Sequence, residues 1–217
     1  MEPFLTAPAG LCLGATAALV FAELTRQPGW NSLLKPLAAA GFLWAALDWG
    51  ALQSAYGQWI LGGLVLCALG DLLLLAHGRG RAFLAGIVVF LAGHVVYLAA
   101  FTSFPLSPYG AGIALPVMAT FAGIILYWLL PWTGSRFRIP VIAYVLVLSA
   151  MVVVAAAAVG GGAHPVLLAG AAAFALSDIA VARNRFVAPG PINRVWGLPL
   201  YFLSQLMIAW TVSTVAG

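Results

Sequence analysis

Residues 56–77 read YGQWILGGLVLCALGDLLLLAH, twenty-two positions with a single acidic residue, Asp71, set deep in the apolar run. Residues 164–183, HPVLLAGAAAFALSDIAVAR, repeat the arrangement around Asp178. Each stretch is long enough to cross a bilayer as one helix, which takes about 20 residues. A carboxylate at such a position costs at least about 2.5–3.5 kcal/mol on insertion scales, so each is a candidate functional residue.

The rest of the chain has the same character. Hydrophobic residues make up 64% of the 217 positions and charged residues 6%, with a mean hydropathy of +1.09. A soluble domain carries roughly a quarter charged residues, so the apolar excess must face lipid. The expected fold is all-α, a single polytopic domain over 1–217 with spans near 7–25, 33–50, 56–77, 82–101, 109–131, 139–159, 164–183 and 195–216. Turn-forming clusters such as RQPGW, SFPLSP and NRFVAPGPIN separate them. With Glu2 and no cationic leader before it, the first apolar stretch reads as a retained span rather than a cleaved signal.

The nine Lys and Arg sort by connection. Arg26 and Lys35 flank the first, Arg79 and Arg81 the third, Arg136 and Arg138 the fifth, and Arg183, Arg185 and Arg194 the seventh. By the positive-inside rule these connections are cytoplasmic. An integral, multi-pass protein results, expected in a bacterial inner membrane with both termini away from the cytoplasm. The net charge of +4 does not imply nucleic acid, because the cations do not cluster with exposed aromatics; most of the eight Trp and six Tyr lie in or beside apolar segments.

A four-span repeat, 1–104 and 105–217, is suggested by three correspondences a little over a hundred residues apart: Pro36 with Pro140, Asp71 with Asp178, and His94 with Gln205. Such halves would be parallel, related by an axis along the membrane normal. The two aspartates also share a depth. Asp71 precedes Arg79 by eight residues and Asp178 precedes Arg183 by five, placing both roughly 8–12 Å below the cytoplasmic helix ends.

Two readings of the pair stand. Either they serve chemistry in one cavity, or they tie helices together or pair with Arg79, Lys35 or Arg183, with Gly70 and Ser177 allowing close packing. Lys35, with Pro36 behind it in a first helical turn, can hold a phosphate or a carboxylate, or it simply snorkels. Tyr144, Tyr201 and Gln205 reach the aspartates' depth, while His94 lies deeper. Glu23 and Asp48 read as interfacial. His77, His164, Cys12 and Cys67 make no metal or disulfide spacing, so no metal or other cofactor is expected.

Four motifs then carry a resemblance: ALGDLLLL at 68–75, RAFLAGIVVFLAGHVVYLAAF at 81–101, AFALSDIAVARNRF at 173–186 and PLYFLSQLMIAW at 199–210. In this order, with Lys35-Pro36 and with Tyr144 and Met151, they resemble the YhhN family, to which the lysoplasmalogenases belong. The resemblance implies an eight-span hydrolase of the vinyl ether bond of lysoplasmalogens, releasing a fatty aldehyde and a glycerophospho-alcohol. It carries polar site positions over to Lys35, Asp71, Asp178, Tyr201 and Gln205. The expected site is therefore Asp71 and Asp178 as the catalytic pair, with Lys35, Tyr144, Tyr201, Gln205 and His94 binding substrate.

Such cleavage needs an acid for carbon and a base for water, and two carboxylates in a low-dielectric site can divide those roles because both do not ionise easily. The expected partners are a lysophospholipid and the bilayer, with oligomeric state open. A proton-coupled transporter of lipid or small molecules is the rival reading, since embedded aspartates also relay protons; a non-catalytic scaffold is the third.

Overall fold

The computed structural model describes residues 3–75 and 80–215. His77 and Arg79, named above at the end of the third span, lie outside them. Eight helices follow in order: α1 (Ala7–Leu24), α2 (Asn31–Asp48), α3 (Ala55–Leu74), α4 (Arg81–Phe101), α5 (Pro108–Leu129), α6 (Ser135–Gly160), α7 (Val166–Ala182) and α8 (Pro191–Trp210). There is no strand among the described residues. Hydroxyl caps start three of the helices, Thr6 for α1, Ser54 for α3 and Ser107 for α5, each accepting from a backbone N–H three residues on.

Seven of the helices are long and apolar enough to cross a membrane. The exception is α2, whose 18 residues include Asn31, Ser32, Lys35 and Asp48. It also begins two residues before the expected start, so Pro36 falls inside the helix rather than in its first turn. Proline lacks the N–H that would bond the carbonyl four residues back, which frees the Ser32 carbonyl at this end of the bundle.

The helices pack as four consecutive hairpins, α1 with α2, α3 with α4, α5 with α6 and α7 with α8. The hairpins close on one another where α2 meets α3, α4 meets α6, α6 meets α7, and α8 meets α1, α2 and α3. Helix α5 is the least buried of the eight, with only Met118, Ala122 and Leu129 fully enclosed.

Side-chain contacts assign the helix ends to two faces. On one, Glu23 at the end of α1 meets Asn31 at the start of α2 and Arg194 at the start of α8. On that same face Arg185, just after α7, donates to the Leu74 carbonyl at the end of α3. On the other face Phe4 stacks near Trp49 and Trp210, and the Tyr56 hydroxyl bonds Thr211 at 2.6 Å. The helices therefore alternate in direction, and the connections bearing the cations share one face. Between the faces, side chains such as Trp44, Ile113, Ile124 and Leu146 are exposed and form an apolar belt, which suits lipid and would be costly in water.

Most of the enclosed side chains form one core along the bundle. A second, smaller cluster at the cationic face joins Phe83 of α4, Leu129 of α5, Phe137 and Val141 of α6, and Phe186.

Candidate active site

A single turn of wider, π-type helix over Arg183–Val187 ends α7. Such a turn redirects side chains and recurs at functional sites. Here it turns Arg185 inward, where the guanidinium caps the carbonyl end of α3 through Leu74 at 2.6 Å and lies 5.0 Å from the Phe83 ring. Lys35 reaches inward from α2, Asp71 from α3, Tyr144 from α6, Asp178 from α7, and Arg194 and Tyr201 from α8. All of them, with Arg185, line one cavity of about 730 Å³.

Both aspartates line this space. Lys35 Nζ lies 3.7 Å from Asp71 Oδ1. Of the three cations offered for the pair, Lys35 is the one beside Asp71; Arg183 instead donates to the Asn193 side-chain oxygen, and Arg79 is outside the described residues. Tyr201 Oη and Asp71 Oδ2 line the same cavity and are both buried without a hydrogen-bond partner among the described residues. Such enclosed polar atoms are costly unless something hydrogen-bonds to them.

Asp178 is held differently. The Tyr144 hydroxyl donates to Asp178 Oδ2 at 2.9 Å, and His94 Nε2 lies 3.6 Å from the same oxygen. Among the described residues Asp178 pairs with no lysine or arginine. The imidazole is fixed by its other nitrogen, Nδ1, 2.6 Å from the Phe90 carbonyl, and by edge contacts with Tyr144 and Phe174. Phe174 in turn abuts Tyr201, so one aromatic chain connects the surroundings of the two carboxylates.

His94 and Gln205 do not line the cavity. They stand behind it, His94 against Asp178 and Gln205 accepting a 2.6 Å hydrogen bond from Tyr97, with its own amide nitrogen unbonded among the described residues. Gly70 explains how α3 admits this arrangement. A Cβ there would lie 2.5 Å from the Phe90 ring, and Phe90 packs edge-on against Tyr201. The small neighbour of Asp71 thus serves close packing and the site together.

Glu23, expected at the interface, is instead buried. It accepts from Arg194 Nη1 at 2.9 Å and from Asn31 Nδ2 at 2.8 Å, fixing two residues of the cavity mouth. Asn193 there is buried as well and bonds the Ala188 carbonyl. The mouth is therefore polar and cationic, while one wall is apolar: Ile87 and Phe90 from α4, Phe121 and Ile125 from α5, and Val145 and Leu148 from α6, with Phe83, Leu129 and Val141 at its cationic end. Among the described residues no three His, Cys, Asp or Glu side chains gather as a metal site.

A polytopic helical membrane protein with two acidic groups on one cavity, cations at its mouth and hydrocarbon along one wall is the class these observations define. Compared with known proteins, residues 30–212 match the YhhN family, and the chain belongs to that family. Among its relatives are the mouse lysoplasmalogenase TMEM86B, 32% identical over 84% of this chain and 75% of the mouse protein, and the human lysoplasmalogenase TMEM86B, 31% identical over 81% and 70%. The human lysoplasmalogenase TMEM86A is 32% identical over 69% of this chain and 63% of its own. No solved structure matches the chain.

Proposed function

We propose that this protein is a lysoplasmalogenase-type hydrolase, cleaving the vinyl ether of a lysophospholipid with Asp178 as acid and Asp71 as base. The observation that carries the reading is the unequal setting of two aspartates on one cavity: Asp71 beside an ammonium, Asp178 beside a hydroxyl and an imidazole. A neighbouring cation favours the charged carboxylate, which suits Asp71 to accept a proton and leaves Asp178 to give one. The relatives named lysoplasmalogenase support the substrate class.

The steps balance. Asp178 donates its proton to the vinyl carbon β to the ether oxygen, leaving an oxocarbenium ion beside two carboxylates that stabilise it. Water adds to the cationic carbon while Asp71 takes its proton, giving a hemiacetal. Asp71 then protonates the departing glycerol oxygen as Asp178 takes the hemiacetal hydroxyl proton; the C–O bond breaks, aldehyde and alcohol form, and both aspartates return to their starting states. Tyr144 and His94 orient Asp178, Tyr201 hydrogen-bonds water or substrate beside Asp71, and Gln205 with Tyr97 backs this wall. Lys35, Arg185 and Arg194 receive the phosphate, for which guanidinium is well shaped.

Purified protein given a lysoplasmalogen will release long-chain aldehyde, read by coupled aldehyde oxidation, together with an equal amount of glycerophospho-alcohol. No aldehyde from any vinyl ether lysolipid would overturn the hydrolase.

We read α2 as an eighth span, because it runs between the same two faces as its neighbours. The cationic face is then cytoplasmic and both termini lie opposite. The pairing pattern supports parallel halves: α2 meets α8 as α6 meets α4, and α2 meets α3 as α6 meets α7. A reporter that works only outside the cytoplasm will be active when fused after Gly217. If only the cytoplasmic reporter responds, the orientation is reversed.

A further inference from the structure

The pairing of halves is incomplete. Helix α1 packs along α8, but α5, which would hold the matching position, has no packed interface with α4. The two helices are joined by residues 102–107 at one end and bridged at the other by the cluster of Phe83, Leu129, Phe137 and Phe186. Between these ties the side chains on both helices turn to the cavity: Ile87 and Phe90 on α4, Phe121 and Ile125 on α5. Their spacings of three and four residues make each set one helical stripe. Ile87, Phe121 and Ile125 are only half-buried.

In water such an apolar gap would collapse. In a bilayer it need not, since lipid tails are as apolar as the side chains and no hydrophobic force drives helices together. The side chains of this gap line the same cavity as the aspartates and the cations. Apolar wall, carboxyls and cations share this one cavity, and they are the three chemistries that the parts of a single-chain phospholipid require: tail, ether linkage, phosphate.

Resting on the lysolipid reading above, we propose that the hydrocarbon tail of the substrate lies in the apolar arm of the cavity and enters it sideways from the bilayer, between α4 and α5. A tail moving from lipid into this arm exchanges one apolar environment for another, so the arm discriminates by shape rather than by attraction. Affinity then falls to the cationic mouth. Helix α5 is suited to give way, being held mainly by α6 and interrupted by Pro116, which removes a backbone hydrogen bond.

The test uses full-length protein in phosphatidylcholine vesicles and an ester lysophosphatidylethanolamine carrying a diazirine at the tail end. Illumination should label peptides bearing Ile87, Phe121 or Ile125, and excess unlabelled lysolipid should suppress that label. Ile125→Trp should reduce it severalfold, whereas Ile124→Trp, on the exposed side of the same helix, should leave it unchanged. Label confined to the cationic connections, or spread evenly over lipid-facing helices and insensitive to competitor, overturns the inference. Labelling is read without turnover, so the two readings fail separately: labelled wall without aldehyde removes the hydrolase, and aldehyde without wall labelling removes the lateral route.

Discussion

Asp178→Asn and Asp71→Asn will each lower turnover by roughly 100- to 10,000-fold, the range for removing a positioned acid or base, while the folded protein survives. Asparagine matches aspartate in shape, and its side-chain oxygen can still accept from the Tyr144 hydroxyl that holds Asp178 at 2.9 Å. What it cannot do is carry a transferable proton. Aldehyde release measures the loss, and the thermal midpoint in detergent checks the fold. The double variant should be little slower than either single one, because groups acting in one reaction sequence are non-additive. Near-wild-type turnover in either single variant would remove that residue from the chemistry.

Lys35→Met will inactivate the enzyme and destabilise it, two effects that a second substitution separates. Lys35 Nζ is 3.7 Å from Asp71 Oδ1, with the side chains 17% and 7% exposed. Removing one member of a fully buried pair costs about 3–5 kcal/mol by stranding the other charge; the partial exposure and long separation here place the loss at the lower end. Turnover should fall by about 100-fold or more, as for loss of the base itself. Lys35→Met combined with Asp71→Asn should recover the thermal midpoint, since no charge is stranded, yet remain inactive. A Lys35→Met protein with wild-type turnover would show that the lysine only marks the membrane surface.

Much of this molecule was legible in its sequence for a physical reason: hydrocarbon forces nearly every span to be continuous and apolar. Seven helices stand out by length and apolarity, and the isolated Asp71 and Asp178 stand out against them. The second helix was harder, because its polar start at Asn31 and Ser32 reads as connection, and its proline as a first-turn residue. Only the folded chain reveals that these residues line the cavity mouth. Glu23 was read as interfacial, and its position three residues before Arg26 carries no hint that Arg194, 171 residues away, would meet it. Tyr97 likewise gains meaning only from Gln205. The apolar wall was invisible, since an isoleucine facing a cavity and one facing lipid look alike in a sequence. Position on the helix decides between Ile124 and Ile125, and packing alone reveals it.

On the proposed reading, the reaction splits an amphiphile into two products with opposite solubilities, and this cavity would sort them. The glycerophospho-alcohol is drawn toward water past Arg185 and Arg194. The aldehyde, reactive toward amines and poorly soluble, has a dry path into the membrane between α4 and α5. Neither product must pass the other: the aldehyde leaves by the route the tail entered, while the alcohol drains toward water and frees the site for a fresh lipid from the bilayer. On this view the missing contact between two helices is what would let the enzyme turn over without leaving the membrane.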